Sequence, residues 1–307
     1  MDTLEKTAAS ADSERLDGKA PQAGVLIMNA DDWGRDRENT ERIRECVLHG
    51  TVSSVSAMVY MKDSERAAEI ARERGIDAGL HLNFTTPFSA PNCPVNLAER
   101  QREIATFLWR YRFARVVFHP GLARSFEYVL AAQMDQFSRL YQRTPNRLDG
   151  HHHMHLCGNV MFGKLLPSGT IVRPSFSFLS GEKSLINIFY RRTLDRFLKR
   201  RYRTVDYFFQ LAPLEPVARL QRIVSLGRQF TVELETHPIE PKEYSFLTSE
   251  KIFTLIGDLQ LAQRFELAGS SRIRDSRQTG FLVSQIKEAG SAPVITTVEQ
   301  AANRDRK

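Results

Sequence analysis

Residues 25–34 read VLIMNADDWG, and this stretch decides the fold class. The run VLIMNA at 25–30 is typical of a strand that is buried on both faces. Two adjacent aspartates, Asp31 and Asp32, follow the run directly, and a helical pattern begins soon afterwards, at about 39–48. A buried strand, a polar turn and a helix in this order form the repeating unit of a parallel α/β sheet.

The same order recurs along most of the chain. Further helical patterns lie at about 64–75 and 126–142. Further strand-like runs lie at 54–60, 78–83, 145–149, 170–175, 230–236 and 293–297. Because strands that alternate with helices pair in parallel through crossover connections, the sequence predicts an α/β fold with a barrel-like or open parallel sheet.

The length of 307 residues suits one large α/β domain or two small ones. We expect a single barrel-like domain at 24–300, preceded by a disordered tail at 1–23 that is rich in Ala, Ser, Asp, Glu and Lys. Two irregular stretches, near 86–125 and 176–225, are interpreted as insertions into this domain.

The composition is that of a soluble globular protein, with 42% hydrophobic and 26% charged residues. No run approaches the roughly 20 apolar residues that a membrane-spanning helix needs. The amino-terminal residues contain no apolar core of a secretory signal, so we expect a cytoplasmic protein. Three cysteines at irregular spacing do not suggest a disulfide framework or a cysteine-rich zinc site.

Part of the net charge of +7 is concentrated at 191–203, RRTLDRFLKRRYR. Such a run could contact phosphates or the anionic surface of a membrane, and it could equally be the solvated face of a helix. No nucleic-acid-binding motif accompanies it, so nucleic acid is not expected as a partner. The motifs of serine hydrolases, phosphate-binding loops and dinucleotide-binding domains are also absent from the sequence.

Residues capable of acid–base or metal chemistry follow four separate predicted strands. Asp31 and Asp32 follow the first, His81 ends the third, and His237 follows the run FTVELET at 230–236. The carboxyl ends of parallel strands form the reaction face of such folds. Taken singly, each residue has a structural alternative: a polar turn for the aspartates and for His237, and a core histidine for His81.

The sequence HHHMH at 151–155 is the sharpest signal, because it holds four of the eight histidines of the chain. If the segment were extended, His151, His153 and His155 would share one face. Neutral imidazole is a good ligand for Zn²⁺ and similar ions. One aspartate, His81 and one histidine of this cluster would form a three-ligand site with positions left open for water, as in catalytic metal sites.

The motifs NADDWG, GLHLNFT, LDGHHHMHL and ETHP occur in this order over roughly 24–250, and together they resemble the YdjC-like carbohydrate deacetylases. That family includes chitooligosaccharide deacetylases and enzymes of hopanoid biosynthesis. The resemblance implies a distorted or incomplete (β/α) barrel of the polysaccharide deacetylase type that binds a divalent metal ion, Mg²⁺ or Zn²⁺. It also makes a homodimer conceivable.

The resemblance implies specific roles for residues within these four motifs. Asp32, His81 and His151 would ligate the metal, Asp31 would be the general base, and His237 would be the general acid or an oxyanion partner. We expect five further residues to bind the substrate or to support the ligands: Trp33, Asn83, His153, His155 and Arg173.

The expected reaction is hydrolysis of an N-acetyl group on an amino-sugar-containing substrate, with release of acetate. Water activated beside the metal would lose its proton to Asp31, and His237, His153 or His155 would protonate the departing amine. Two alternatives remain open at this stage: a metal-dependent hydrolase of phosphoesters or of other esters and amides, and a non-catalytic sugar-binding protein. The sequence does not choose among an oligosaccharide, a glycolipid head group and a nucleotide-linked sugar.

Overall fold

Seven strands form one sheet, in which every neighbouring pair is parallel. The computed structural model describes residues 24–110, 113–178, 185–265 and 267. The strands of this part of the chain are β1 (Val25–Trp33), β2 (Ser54–Ala57), β3 (Ala78–Leu82), β4 (Arg147–Gly150), β5 (Ile171–Val172), β6 (Tyr207–Gln210) and β7 (Thr231–Thr236).

The order of the strands is that of a barrel with one irregular seam. Along the sheet the order is β5-β4-β3-β2-β1-β7-β6, so that consecutive strands are neighbours and β7 returns to pair with β1. β5 and β6 are not paired as strands in the described part of the chain; a bridge from Ile171 to Arg203 and hydrogen bonds such as that from Ser177 N to Phe208 O join the segments around them. This arrangement is an incomplete (β/α) barrel, which confirms the predicted fold class.

Helices connect the strands and cover the outside of the sheet. They are α1 (Arg37–Leu48), α2 (Ser64–Arg74), α3 (Val95–Arg110), α4 (Ala123–Tyr141), α5 (Gly158–Phe162), α6 (Leu185–Lys199), α7 (Val217–Leu226), α8 (Pro241–Leu247) and α9 (Lys251–Ile256). The Asp36 side chain accepts a hydrogen bond from Asn39 N and so caps α1. Gly75 ends α2 in the left-handed conformation that favours glycine. The apolar faces of the helices bury Ile43, Ala67, Val129 and Phe137 against the sheet.

The core explains why the early strands were easy to predict. All of β2 and β3, and β1 after its first residue, are buried. The two serines of β2 are satisfied in the interior, because their hydroxyls donate to Asn29 and Asp149. The described residues all belong to one compact unit. None of their helices combines the length and the apolar character needed to cross a bilayer.

Two sequence-based interpretations of the fold are wrong. The stretch near 86–125 is not irregular, because α3 occupies Val95–Arg110 and packs on α4. The stretch near 176–225 contributes β6 to the sheet and contains α6 and α7, so it is part of the barrel and not an insertion. The tail predicted at 1–23, the strand predicted at 293–297 and the end of the domain near residue 300 lie outside the described residues.

Candidate metal centre and active site

A break in the regular pleat of β1 places both aspartates of the DD pair on the same side. In a regular strand, adjacent side chains point to opposite faces. Here the register between β1 and β2 shifts between Ala30 and Trp33, and Asp32 has a φ of 67°. A β-bulge of this kind re-aims side chains, and a left-handed aspartate is a strained conformation that is typical of functional sites. Both carboxylates therefore reach the cavity at the end of the barrel.

His81 is oriented by a buried carboxylate on the neighbouring strand. Its Nδ1 lies 2.7 Å from Asp149 Oδ1, because β3 and β4 pair His81 directly with Asp149. A carboxylate at Nδ1 holds the ring with Nε2 facing the other way, which is the support that metal-ligating histidines commonly have. His81 Nε2 lies 3.6 Å from Asp32 Oδ1 and 3.9 Å from Asp31 Oδ2.

The histidine cluster is not extended, so the predicted common face of His151, His153 and His155 is wrong. Residues His151–Leu156 form a 3-10 turn, and His152 and His153 have φ values of 54° and 58°. The chain must leave the sheet after Gly150, and the left-handed residues turn the four rings in different directions.

Each histidine of the turn has a different environment. His151 Nδ1 lies 3.0 Å from Asp32 Oδ1, and His152 Nδ1 lies 2.9 Å from Thr85 Oγ1. His153 Nε2 lies 3.7 Å from a Glu235 oxygen, and the His153 ring packs edge-on against Phe176. His155 is fully buried and donates from Nε2 to the Arg173 carbonyl oxygen at 3.0 Å, so it fixes the backbone and lies away from the cavity.

Three neighbouring buried residues each have a side-chain polar atom without a hydrogen bond. Within the described parts of the chain, no hydrogen-bond partner exists for Asp32 Oδ1, His81 Nε2 or His151 Nε2. Asp32, His81 and His151 each offer a ligand atom within 4.8 Å of the other two. Leaving buried polar atoms unpaired is costly, and a metal ion would satisfy them. The residues therefore fit a metal site with two nitrogen ligands and one oxygen ligand.

Arg173 is the centre of a buried charge network below this site. Its guanidinium donates to both oxygens of Asp31, at 2.7 and 2.8 Å. It also contacts three other carboxylates, each brought in by a strand of the barrel: Asp149 at 3.1 Å, Glu233 at 2.8 Å and Glu235 at 3.2 Å. Arg173 follows β5 directly, so this network connects the end of β5 to three other strands, β1, β4 and β7.

The network separates carboxylates that stay ionised from carboxylates that hold a proton. Burial raises the pKa of Asp31, but Arg173 outweighs burial and holds this pKa far below its usual range. Burial likewise opposes ionisation of Asp32, and His151 outweighs it, so the pKa of Asp32 is also lowered. For Glu233 and Glu235 burial prevails: it raises the pKa of Glu233 to about 7 and that of Glu235 well above its ordinary value.

The site opens into a cavity of about 1170 Å³. Asp31, Asp32, His81 and His151 lie in its wall, and so do the partly exposed side chains of His153 and His237. His237 Nδ1 lies 3.9 Å from Glu235 Oε1, and the His237 backbone N donates to Glu243 at 2.8 Å. Trp109 and Arg115 line the cavity mouth together with Arg35 and Lys242.

The match to a family model covers most of this barrel. The model, described as YdjC-like protein, matches residues 25–258, which include every strand of the sheet. The chain belongs to the YdjC-like family. This confirms the resemblance that the four motifs indicate.

Proteins similar to this YdjC-like chain are named for deacetylation. It is 32% identical over 133 residues to a chitooligosaccharide deacetylase of Enterobacter sp., covering 43% of this chain and 50% of that protein. It is 33% identical over 136 residues to a mouse carbohydrate deacetylase, covering 44% of each chain. The matched region thus spans about half the length of these curated relatives.

A crystal structure supports the fold. An Enterococcus faecalis protein proposed to cleave cellobiose phosphate superposes with a TM-score of 0.53 and 20% identity. The match covers 78% of this chain and 96% of the other.

Two further predicted site residues of this YdjC-like chain, Trp33 and Asn83, make hydrogen bonds to the backbone of neighbouring segments. Trp33 is fully buried and donates from Nε1 to Ala67 O in α2, and Asn83 hydrogen-bonds the loop at Thr85 and Thr86. Neither side chain lies in the cavity wall. Their positions are therefore compatible with support of the ligands and not with direct contact to a substrate.

Sequence reasoning missed three acidic members of the Arg173 network. They are Asp149, Glu233 and Glu235, all buried. A signal for the two glutamates was present: TVELET is an apolar strand whose acids alternate with period two, so both point to the interior of the barrel.

Proposed function

We propose that this chain is a metal-dependent hydrolase that removes an N-acetyl group from an amino-sugar-containing substrate and releases acetate. The observation that carries the proposal is that Asp32, His81 and His151 each offer a ligand atom within 4.8 Å of the other two, beside an ionised Asp31 that Arg173 holds through two hydrogen bonds. The deacetylase names of the relatives support the same reaction. A cytoplasmic location is proposed from the sequence alone.

Asp32, His81 and His151 would hold the metal ion. Two imidazole nitrogens and one carboxylate oxygen suit Zn²⁺ better than Mg²⁺, which prefers oxygen ligands. A divalent ion bound there would act as a Lewis acid toward water and the acetyl carbonyl. Asp32 Oδ2 accepts a hydrogen bond from Arg35 at 2.9 Å, which would leave Oδ1 as the ligand atom.

Asp31 would accept the proton of the attacking water. Arg173 keeps this carboxylate ionised and fixes its plane through two hydrogen bonds, and Asn29 Nδ2 donates to Oδ1 at 2.9 Å. A base that is always ionised is ready at any working pH, although Arg173 lowers its basicity. The water therefore has to be made more acidic by its surroundings before Asp31 can deprotonate it.

His237 would donate a proton to the leaving amine. It lies in the cavity wall with Asp31 and Glu235, and one atom from each of the three residues lies within 4.8 Å of the others. Its backbone N is fixed by Glu243, whereas the ring is partly open to the cavity. His153 is the alternative donor in the same wall, whereas the buried position of His155 does not suit this role.

The test separates metal binding from turnover. Purified protein is stripped with a chelator and refilled with Mg²⁺, Zn²⁺, Co²⁺ or Mn²⁺, and acetate release is measured on a panel of N-acetylated sugars. Asp31→Asn should keep the bound metal but lose turnover by about 10²–10⁴-fold. The matched variant Asp32→Asn and the variant His151→Ala should each lose both the bound metal and turnover.

Two results would reject parts of the proposal. Equal loss of metal from Asp31→Asn and Asp32→Asn would contradict the assignment of Asp31 as base. Bound metal without acetate release from any acetylated sugar would reject the deacetylase function, and turnover of phosphoester probes in the same samples would replace it.

A further inference from the structure

A strongly apolar surface lies beside the cavity mouth. Residues 113–118, which we call the rim segment, follow α3. Four of its side chains are unusually exposed: Phe113 (68%), Val117 (51%), Val116 (43%) and Phe118 (38%). Phe162, at the end of α5, is 63% exposed. Scattered single apolar residues are normal on a surface, but several in one short segment mark an interaction site.

The backbone of the rim segment is held firmly, so this exposure is not the result of loose packing. Gly158 N donates to Arg115 O at 2.8 Å. A Cβ at Gly158 would lie 2.6 Å from Val117 O, which means that α5 and the segment touch backbone to backbone. The Asn159 side chain exchanges two hydrogen bonds of 2.9 Å with the backbone of His119. A fixed backbone thus presents apolar side chains to the outside.

The stretch of sequence around the rim segment is rich in arginine, and the nearest acidic residues along the chain are Glu103 and Glu127. Residues 104–126 contain four arginines and no aspartate or glutamate. Arg115 and Arg124 are exposed, and the Arg115 guanidinium lies 4.8 Å from the centre of the Trp109 ring. Exposed aromatic and aliphatic side chains next to arginines are the composition of surfaces that lie in the interface of an anionic bilayer. A second copy of the same surface would instead bring like charges together.

We propose that the rim segment docks on the surface of an anionic lipid bilayer. Phe113, Val116 and Val117 enter the interface, and the exposed Arg115 and Arg124 remain at the level of the lipid phosphates. Trp109 and Arg115 belong to both the docking surface and the cavity mouth, so the cavity opens next to the membrane. If the proposed deacetylase function holds, on which this last step rests, the substrate is an acetamido sugar that forms the head group of an amphiphile.

The binding test uses the full chain and vesicles of known composition. Wild-type protein should sediment with vesicles of phosphatidylcholine and phosphatidylglycerol, less with phosphatidylcholine alone, and less at high salt. The double change Phe113→Ser with Val117→Ser should lower the partition coefficient by roughly tenfold or more, because it removes two apolar anchors. The matched control, Val217→Ser with Phe253→Ser, changes exposed apolar residues on α7 and α9 and should bind like wild type.

Tryptophan fluorescence identifies which surface touches the lipid. The chain has two tryptophans, of which Trp33 is fully buried and Trp109 is 51% exposed. Vesicles with brominated acyl chains quench indoles that they contact. Quenching should therefore occur in wild type, and Trp109→Phe should abolish it while Trp33 emission stays unchanged.

The outcomes separate this proposal from the proposed function. Failure to bind anionic vesicles, binding that survives the double change, or binding without quenching would each overturn the docking surface; the last would point to another surface, such as the basic run at 191–203. Dimerisation that the double change abolishes, without vesicle binding, would assign the surface to a second copy. Acetate release from soluble sugars is measured separately, so it can persist when docking fails, and docking can persist when no acetylated sugar reacts.

Discussion

The buried carboxyl of Glu233 should make the protein less stable as the pH rises. Glu233 Oε1 accepts a hydrogen bond from Arg173 Nε at 2.8 Å, whereas Oε2 has no hydrogen-bond partner within the described ranges. Burial outweighs Arg173 and raises the pKa from an ordinary 4.5 to about 7. The folded state therefore holds this proton more tightly than the unfolded state, so its contribution to stability is complete below the unfolded pKa and is lost as the pH rises through the folded pKa. The two pKa values correspond to about 3 kcal/mol in total.

The change Glu233→Gln removes this titration and leaves an amide oxygen for Arg173. The difference in unfolding free energy between the variant and wild type should shift by about 2.5 kcal/mol in favour of the variant from about pH 5 to about pH 8. This is the part of the total that the titration of Glu233 contributes between these two pH values. Urea unfolding at both pH values, followed by circular dichroism with matched metal content, measures the difference.

The control for this comparison is Glu41→Gln on the surface. Arg66 lowers the pKa of Glu41, so this charge stabilises the fold above its unfolded pKa, and the variant should be the less stable protein at about pH 8. The effect should stay within about 1 kcal/mol because the pair is partly exposed. The reasoning would be refuted if Glu233→Gln showed the same stability difference from wild type at both pH values, or if it lost stability as the pH rose.

Two further changes test the supports of the site. Asp149→Asn should weaken metal binding by about 10–100-fold in a competition assay with a chromogenic chelator, because the amide no longer offers the carboxylate that orients His81; unchanged affinity would contradict the orienting role. Gly79→Ala should cost about 1–3 kcal/mol in thermal or urea unfolding, because a Cβ there would lie 2.6 Å from Nε of the buried Arg147, which is held by the Val55 carbonyl. If Gly79→Ala left the free energy of unfolding unchanged, the Arg147 guanidinium would have to be able to move.

Much of the barrel could be predicted because its early strands are rich in apolar residues and have clear helices between them. β1, β2, β3 and β7 all lie within predicted strands or extend them by a few residues. β6 was missed because Tyr207–Gln210 is short and ends in an exposed Gln210, so neither a long apolar run nor a clean alternation marks it. Its place is determined by pairing with β7, which is a tertiary contact.

The candidate site could be predicted in part. The motifs named Asp31, Asp32, His81 and His151, and the structure brings these four together at one cavity. The directions of the other histidines could not be read from spacing, because spacing assumes that the strand continues beyond Gly150. The chain instead enters a turn with two left-handed residues.

The charge balance of the site gives a physical reason for a divalent cation. Asp31, Asp32 and Asp149 all have lowered pKa values, so three buried carboxylates stay ionised, whereas Arg173 and Arg35, which pairs with Asp32 at 2.9 Å, supply two positive charges. Glu235 adds little to this excess near neutral pH, because its pKa is raised well above the ordinary value, whereas Glu233, with a pKa of about 7, is partly ionised there. At least one negative charge then remains without a fixed partner, which is unfavourable in a buried site.

A proton on His81 can offset part of this excess. Burial lowers the pKa of His81, but Asp31 and Asp149 outweigh burial and raise it. Protonation of Nε2 would use the same lone pair that a metal ion needs, so protons and metal compete for one atom. A divalent ion brings two positive charges to the site, whereas a proton brings one. The carboxylates that make His81 basic therefore also favour the metal, and metal affinity should fall as the pH drops below the raised pKa of His81.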